Sequence, residues 1–255
     1  MEIENEGKLK SVQKSLRVLE CFNSQKSELG VSEIARMLDL NKSNVHNILT
    51  TLEECGYIKK NLSSEKYSLD FKMLRFSYTV MANYPYTNLI VPVLKDLATD
   101  LNVIVYFGIP HDDTVLYLFS AYPKSYGKNI PYRSILGETA PYYCTSIGKA
   151  LLCAMNDDEI RSHLKGEKIK YTENTLVDNE AIFADLEKSR ERGYAIDEIE
   201  HENGVRCVGV PVTDRNDCLI GAISASGPVS IITENDVESI SLKLMTAAFE
   251  IKSRI

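Results

Sequence analysis

The sequence predicts an α+β fold, in which a small helical domain with a β-hairpin precedes a larger domain built on a largely antiparallel sheet. Two observations predict it. Apolar residues recur at helical spacing through the first part of the chain and again in separate later segments. Between those later segments lie short runs rich in β-branched and aromatic residues, bounded by turn residues, which is typical of strands in a mainly antiparallel sheet.

The predicted small domain consists of three helices and a hairpin. The first helix is expected over about 10–23, where apolar residues recur at helical spacing. They are Val12, Leu16 and Leu19. Ser32 is the expected N-cap of the second helix and Asn41 that of the third, which Gly56 ends. Two strand-like runs within 57–69, YIKKNLSSEKYSL, enclose turn residues and predict the hairpin.

An amphipathic stretch over 71–82 runs to Pro85 and is the expected boundary between the domains. We therefore expect a first domain at 1–70, a linker helix at 71–86 and a second domain at 87–255. In the second domain, strands are expected at 103–109, 114–121, near 129–133, 194–198, 206–213 and 219–226. Its helices are expected at 89–101, 146–154, 179–192 and 234–254, the last with Thr233 and Asp236 spaced as a capping box.

Charge is distributed unevenly along the chain. The 255 residues carry a net charge of −7, but residues 1–67 hold ten basic and ten acidic residues, so the excess of acid lies beyond them. A neutral N-terminal segment followed by an acidic remainder suits a protein that contacts phosphate only with its N-terminal domain. No apolar run reaches membrane-spanning length and MEIENEGKLK is not a signal segment, so a cytoplasmic location without a membrane partner is expected. The six cysteines lack a C-x-x-C pair and are expected to be reduced thiols.

The segment VSEIARMLDLNKSNVHNILTTLEECGYIKK, 31–60, predicts a DNA-binding element. Two short helices joined by a tight turn and followed by a hairpin form a winged helix-turn-helix, whose second helix enters the major groove. Opposite its apolar stripe, the predicted helix carries short uncharged polar side chains that can approach base edges. The residues expected at base edges are Ser43, Asn44, His46 and Asn47. The residues expected on phosphates are Lys42, Lys59, Lys60 and Lys66.

Other interpretations of this segment stay open from the pattern alone. Short amphipathic helices with polar outer faces are common, and lysines in a turn are usually solvated. The rival class of protein is an enzyme or a ligand-storage protein that uses only the acidic C-terminal domain.

Motifs of known catalytic sites are incomplete in this sequence. Gly148 and Lys149 suggest a phosphate-binding loop, but Tyr143 and Ala150 occupy positions where that motif has Gly and Ser or Thr. The chain has four histidines and no complete hydrolase or zinc-protease motif. We therefore predict that it is not an enzyme, with no catalytic residue and no cofactor.

A metal-responsive protein is an alternative that depends on three side chains. Cys144, Asp197 and Cys207 are plausible ligands if the fold gathers them. Cysteines in strands also serve as small apolar fillers. The ligand spacing gives the alternative no independent support, so no metal is predicted.

Five blocks of the sequence, in order and with similar spacing, resemble the transcriptional regulators of the isocitrate lyase regulator (IclR) family. They are SVQKSLRVLECF, VSEIARMLDLNKSNVHNILTTLEECGYI, GETAPYYCTSIGKALL, RGYAIDEIEHENGVRCVGVPV and LIGAISASGP. The resemblance covers nearly the whole chain. It implies an N-terminal winged helix-turn-helix, a linker helix, and a C-terminal GAF-like effector-binding domain with a curved sheet. It also implies a homodimer or homotetramer that represses or activates genes for the catabolism of small organic acids.

The resemblance also implies where a small-molecule effector binds. The matching positions are Ala140, Ser146, Ile147, Asp197, Cys207, Ser224 and Ser226. Ser146 and Ile147 are expected at a helix N-terminus, where free N–H groups favour a carboxylate. Asn47 stands where the family usually has Arg, and YYCTSIGK is bulkier than the family's usual run, so the operator sequence and the effector are not given by the resemblance.

Overall fold

The computed structural model describes residues 9–124, 135 and 137–255. Contacts divide the chain into two compact units, 1–85 and 86–255. The strand expected near 129–133 lies outside the described residues. No helix among the described residues is both long enough and apolar enough to cross a membrane.

The first unit is a winged helix-turn-helix followed by one further helix. Its elements are α1 (Lys10–Glu20), α2 (Val31–Leu38), α3 (Lys42–Glu54), β1 (Ile58–Lys60), β2 (Tyr67–Leu69) and α4 (Met73–Ala82). Strands β1 and β2 pair antiparallel, with Lys59 opposite Ser68. The core contains Val18, Ile34, Val45, Leu49 and Ile58, all nearly inaccessible to solvent. One apolar stripe from each element therefore meets in a single small core.

The local signals that delimit α2 and α3 differ from each other. Asn41 caps α3 as expected, because its side chain accepts a hydrogen bond from the Asn44 N–H at 2.8 Å. Ser32, however, is not the N-cap of α2, and that prediction was wrong. Helix α2 begins two residues earlier than predicted, with Gly30 rather than Ser32 at the N-cap, because the Glu33 carboxylate accepts the Gly30 N–H at 2.8 Å.

The second unit is built on a six-stranded antiparallel sheet in the order β5-β4-β3-β8-β7-β6. The strands are β3 (Ile104–His111), β4 (Thr114–Ala121), β5 (Thr139–Ala140), β6 (Ala195–Glu198), β7 (Val205–Thr213) and β8 (Leu219–Pro228). Register shifts at Phe107/Gly108 and at Val212/Thr213 interrupt the ladders. Such irregularities bend a sheet, so the sheet curves.

Helices cover both faces of this sheet. They are α5 (Thr87–Leu101), α6 (Ser146–Cys153), α7 (Asp157–His163), α8 (Asn179–Arg192) and α9 (Val237–Arg254). Helices α5 and α9 pack on each other and on one face, whereas α6 and α8 pack on the other. Gly193 ends α8 at φ +83°, and a capping box of Thr233 and Asp236 precedes α9, both as expected. The short helix α7 and the strand β5 were not predicted.

Candidate functional site

Helix α3 presents a polar outer face. Val45, Ile48, Leu49 and Leu52 are buried in the core of the first unit. The opposite side carries Ser43, His46 and Asn47, which are exposed, and Asn44, which is half-buried beside α1. A hydrogen bond of 3.2 Å joins His46 Nδ1 to Thr50 Oγ1. The sequence-predicted base-reading residues therefore share one accessible helix, although Asn44 lies at its edge.

The predicted phosphate-contacting lysines differ in how free their charges are. Lys66 Nζ lies 3.1 Å from the Glu33 carboxylate, so part of its charge is already neutralised. Lys60 Nζ is 3.9 Å from exposed Glu65, and Lys59 Nζ lies 5.4 Å from the centre of the Phe71 ring. Among the described residues no ion pair is recorded for Lys42, at the N-terminus of α3. Lys42 and Lys59 thus offer the least compensated charges.

Apolar side chains of α1 and of the segment around α4 are exposed in the first unit. Val12 is 49% exposed and Leu16 53%, on the side of α1 away from its core. Phe76 is 54% exposed, Tyr78 76% and Val80 67%. A groove of about 690 Å³ runs between α1, α3 and α4, with Leu16, Ile48 and Phe76 among its lining residues. Exposed apolar side chains grouped around a groove are typical of interaction sites.

In the second unit, one cavity of about 150 Å³ gathers all seven residues expected to bind an effector. They are Ala140, Ser146, Ile147, Asp197, Cys207, Ser224 and Ser226. Sheet register brings them together: Asp197 pairs with Cys207, and Cys207 with Ser226. These residues form a row across the sheet, although nearly 30 residues of chain separate its ends.

The N-terminus of α6 forms one wall of this cavity. Thr145 is its N-cap and accepts the Gly148 N–H at 3.1 Å, while the Lys149 N–H bonds to the Thr145 carbonyl. Ser146 and Ile147 occupy the first two helical positions, where N–H groups have no intrahelical acceptor. Together with the helix dipole, these groups favour an anion.

Hydroxyl and thiol groups line the sheet side of the cavity. Ser146 Oγ and Ser224 Oγ are 2.7 Å apart and both residues are buried, so α6 is hydrogen-bonded to β8. Cys207 Sγ donates to Ser226 Oγ at 3.2 Å. Hydroxyls can donate or accept, so this wall suits a polar ligand of small size.

Asp197 supplies the buried carboxyl of the cavity. Burial raises its pKa to about 7, although N–H groups of Glu200 and His201 and the charge of Lys149 act in the opposite direction. Its Oδ1 accepts the Glu200 N–H at 2.7 Å. A protonated Asp197 can donate a hydrogen bond, whereas the ionised form can only accept. Around neutral pH this carboxyl can therefore serve in either role.

A buried ion cluster behind the cavity was missed by the sequence analysis. Lys149 is 1% exposed, and its Nζ lies 2.5 Å from Glu200 Oε1 and 2.7 Å from Asp185 Oδ2. Burial opposes its charge, but the two carboxylates outweigh that effect and raise its pKa. The cluster joins α6 and α8 to the loop after β6, which carries cavity residues. Its partners lie 36 and 51 residues from Lys149, so no local pattern indicated it.

Nine further lining residues of the cavity were also missed. Tyr106, Tyr117, Glu138 and His201 are four of them. Tyr106 and Tyr117 lie in strands that the sequence predicts, and their rings meet edge to face with centroids 5.5 Å apart. Tyrosines in otherwise apolar strands were the available signal, since a phenol needs a polar partner when it is buried.

The metal alternative is not supported by the geometry. Cys144 is buried in the apolar core, whereas Asp197 and Cys207 line the cavity. Within the described ranges, no cluster of three or more His, Cys, Asp or Glu side chains is suited to a metal ion. Burial raises the pKa values of both thiols, which disfavours the thiolate that a metal requires.

A winged helix-turn-helix followed by a ligand-sized cavity in an α+β domain defines a ligand-responsive DNA-binding regulator. Two family models match the chain: the IclR helix-turn-helix domain over residues 11–62 and the bacterial transcriptional regulator IclR C-terminal domain over 79–253. The chain therefore belongs to the IclR family of transcriptional regulators. It is a DNA-binding transcriptional regulator with a C-terminal effector-binding domain.

Similar proteins are named as transcriptional regulators, and the alignments cover nearly their whole length. The transcriptional regulator XynR of Escherichia coli is 31% identical over 242 residues, covering 94% of each chain. KdgR of the same organism is 30% identical over 246 residues, covering 96% of this chain and 92% of that protein. The structure of Thermotoga maritima IclR aligns with a TM-score of 0.72 at 27% identity, over 96% of this chain and 98% of that one.

One solved structure includes a ligand. An IclR homologue from Microbacterium hydrocarbonoxydans, complexed with 4-hydroxybenzoate, aligns with a TM-score of 0.79 at 20% identity. The alignment covers 95% of this chain and 98% of that one. At this identity the likeness establishes a shared fold.

Proposed function

We propose that α3 and the β1–β2 hairpin bind operator DNA, with Ser43, Asn44, His46 and Asn47 at base edges. Lys42, Lys59, Lys60 and Lys66 contact phosphates in this proposal. The observation that supports it most is the exposed, uncharged outer face of α3, because short polar side chains can reach base edges in the major groove. The proposal assigns 1–70 to DNA binding, 71–86 to the link and 87–255 to effector binding.

We further propose that the effector is a compact hydroxy acid. A cavity of about 150 Å³ holds a ligand of roughly the size of benzene. The carboxylate binds the N–H groups at the start of α6, and a hydroxyl reaches Asp197. That a fold relative is complexed with 4-hydroxybenzoate, which carries both a carboxylate and a hydroxyl, supports this chemistry. Binding in this cavity is regulatory rather than catalytic in our proposal.

Two copies of the chain bind one operator in this proposal. A single winged helix covers one half-site, and a two-fold dimer matches a palindrome. The exposed apolar faces of α1 and α4 support a self-association surface in the first unit. Because the partner is chromosomal DNA, the proposal implies a cytoplasmic protein.

The effector acts by favouring one arrangement of the DNA-binding units over another. A ligand can shift such an equilibrium only by its differential affinity for the two states. In this proposal α4 transmits the effect of ligand binding from the second unit to the DNA-binding unit, since it follows the hairpin and precedes α5 in the chain.

The test uses the full chain and DNA from the region upstream of its own coding sequence. Fluorescence anisotropy measures operator affinity with and without 4-hydroxybenzoate and a panel of aliphatic hydroxy acids. A ligand that fits the cavity raises the melting temperature by mass action and changes operator affinity. The proposal of DNA binding is lost if neither upstream nor random DNA binds at low salt.

A cavity variant and a matched control complete the experiment. Ser226→Leu fills space in the cavity and removes a hydroxyl, so we expect normal operator binding that no longer responds to ligand. The control is Ser230→Leu, because Ser230 is exposed and lies outside the cavity. Operator binding by this variant should respond to ligand as that of the native chain does. If folded Ser226→Leu protein still responds at native ligand concentrations, the cavity is not the effector site.

A further inference from the structure

The cavity in the second unit is lined by more negative than positive groups. Glu138, Asp197 and Glu202 bring three carboxyl side chains to its wall. Among the described residues of the wall none is Lys or Arg, and the imidazole of His201 is the one basic side chain. The N–H groups at the start of α6 supply only partial positive charge. A carboxylate that enters the cavity therefore meets carboxyl groups that no lysine or arginine of the described wall offsets.

Lys149, the buried cation behind the cavity, has no hydrogen bond left for a ligand. Its Nζ donates to Asp185 Oδ2 at 2.7 Å, to Glu200 Oε1 at 2.5 Å and to the Ile196 carbonyl at 3.1 Å. An ammonium group has three N–H donors, so all of them are engaged. One positive charge beside two carboxylates also leaves this cluster negative when both are ionised.

Asp197 is the buried carboxyl of the wall and has only neutral hydrogen-bond partners in the described part of the chain. Its Oδ1 accepts the N–H groups of Glu200 and His201, at 2.7 and 3.4 Å. Asp197 is 3% exposed, so water does little to stabilise its charge. Burial has already raised its pKa to about 7. Of the carboxyls at the cavity, Asp197 is therefore the one prepared to take a proton.

The size of the cavity places a ligand carboxylate close to Asp197. A space of about 150 Å³ is about 7 Å across, so the two carboxyl groups lie no further apart than that. Like charges at such a distance in a buried site disfavour each other. The ligand carboxylate has the free N–H groups at the start of α6 to accept from and stays ionised. Its charge therefore raises the pKa of Asp197 further.

We infer that the cavity binds an acid as its anion together with one proton, which Asp197 takes up on binding. The inference rests on the proposed binding of a hydroxy acid in this cavity and adds how that binding is regulated. Once protonated, Asp197 donates a hydrogen bond to the ligand instead of repelling it. Protonation raises the affinity for the anion by the same factor by which the anion raises the affinity for the proton.

The linkage sets the direction and the range of the pH dependence. Well below pH 7 Asp197 carries its proton before the ligand arrives, so the affinity does not change with pH on its account. Above pH 7 each binding event takes up a proton, and the affinity falls by up to about tenfold per pH unit. The regulator therefore responds to an acid more strongly at mildly acidic than at mildly alkaline pH.

Most other titratable groups around Asp197 keep one charge state through this range. Burial raises the pKa of the Tyr117 phenol and of the Cys144 and Cys207 thiols, so all three stay neutral. Burial opposes the charge of Lys149, but its two carboxylates raise its pKa, so it stays positive. These four groups add no pH dependence near neutrality.

His201 and Glu200 require controls. Burial lowers the pKa of His201, so its imidazole gains charge below the range in which Asp197 titrates. Burial raises the pKa of Glu200, while the charge of Lys149 opposes that effect. Because the Lys149 ammonium bonds to Glu200 Oε1, a proton is held less easily there than on Asp197.

The first test is calorimetry of 4-hydroxybenzoate binding to the full chain at pH 6 and pH 8. We expect binding to be about tenfold weaker at pH 8, because a group with a pKa of about 7 is largely protonated at pH 6 and largely ionised at pH 8. Repeating the titration at pH 8 in phosphate and in Tris, whose ionisation enthalpies differ, counts the protons, and about one should be taken up per ligand. The neutral probe 4-hydroxybenzamide should show no such fall.

The second test compares two exchanges of a cavity carboxyl for an amide. Asp197→Asn cannot titrate, so its affinity for 4-hydroxybenzoate should be equal at pH 6 and pH 8, with no proton uptake. Glu202→Gln is the matched control and should keep the tenfold fall, since Glu202 is exposed. His201→Gln, whatever its affinity, should keep the fall as well. Melting temperatures establish that each variant is folded.

The outcomes separate this inference from the effector proposal. If no acid binds the native chain at pH 6, the effector proposal fails and the inference falls with it. If an acid binds equally at pH 6 and pH 8 without proton uptake, the effector proposal stands and the inference is overturned. The same fall in folded Asp197→Asn as in the native chain also overturns it, because another group then takes the proton. Should Asp197→Asn not fold, the proton count of the native chain decides.

Discussion

Gly209 on β7 lies directly beneath Ser146, the first residue of α6. A β-carbon at position 209 would stand 2.7 Å from the carbonyl carbon of Ser146 and 3.1 Å from the Ile147 nitrogen. Only a residue without a side chain allows the start of α6 to approach the sheet so closely. The same close approach brings Ser146 to Ser224 and so forms the wall of the cavity.

Gly209→Ala should therefore destabilise the second unit and displace the start of α6. We expect a loss of about 1–3 kcal/mol in the free energy of unfolding, which is typical of overpacking at a site that is already filled. Gly166→Ala is the control, since a β-carbon there meets nothing within 4 Å. Chemical denaturation measures both, and equal stabilities would show that α6 can move away without cost.

Lys42→Ala and Lys66→Ala should differ in their effect on DNA binding. The logarithm of affinity falls with the logarithm of salt concentration by about 0.9 for each phosphate neutralised. Lys42 has no recorded ion pair among the described residues, so its loss should lower that slope by about one. Lys66 is already paired with Glu33, so its loss should lower the slope less. Salt titrations of operator affinity compare the two, and a larger change for Lys66 would contradict this assignment.

Asn47→Ala should weaken binding to the operator by about 1–3 kcal/mol and leave binding to random DNA almost unchanged. Asn47 is exposed on α3. The Thr51 hydroxyl donates to its backbone carbonyl at 2.9 Å, and this bond is kept when the side chain is shortened to alanine. Anisotropy titrations with operator and scrambled duplexes measure the difference. An equal loss on both duplexes would assign Asn47 to phosphate rather than to base contact.

Asp197→Asn should change how stability depends on pH. The folded pKa of Asp197 is raised to about 7 from an ordinary 3.8, so the folded state binds more protons than the unfolded state between these values. This carboxyl therefore makes the native protein less stable as pH rises from about 4 to 7, by about 1.4 kcal/mol for each unit of pKa shift. The asparagine side chain keeps an acceptor for the Glu200 N–H but does not titrate. Between pH 5 and pH 8, the free energy of unfolding should decline less in the variant than in the native protein, as measured by denaturation at both pH values. An identical decline in both proteins would mean that another group causes the pH dependence.

Signals that act within a few residues were sufficient to predict much of the fold. Asn41 caps α3, Gly193 ends α8, and Thr233 and Asp236 form a capping box, because each bond joins groups that are neighbours in sequence. Helix α7 has a similar box in Asn156 and Glu159, which the sequence analysis overlooked. The start of α2 was misassigned because Ser32 and Gly30 both fit an N-cap, and the Glu33 carboxylate favours Gly30.

The sequence by itself determined the winged helix-turn-helix, the α+β class and the family, since these follow from periodicity, caps and ordered motifs. The tertiary structure decided what each cavity residue touches. Lys149 stands beside Gly148 in an incomplete phosphate-loop motif, yet the fold buries it between Asp185 and Glu200. Desolvation and charge pairing of that kind depend on groups far apart in sequence, and the packing of α6 and α8 on each other and beside β6 brings them within reach.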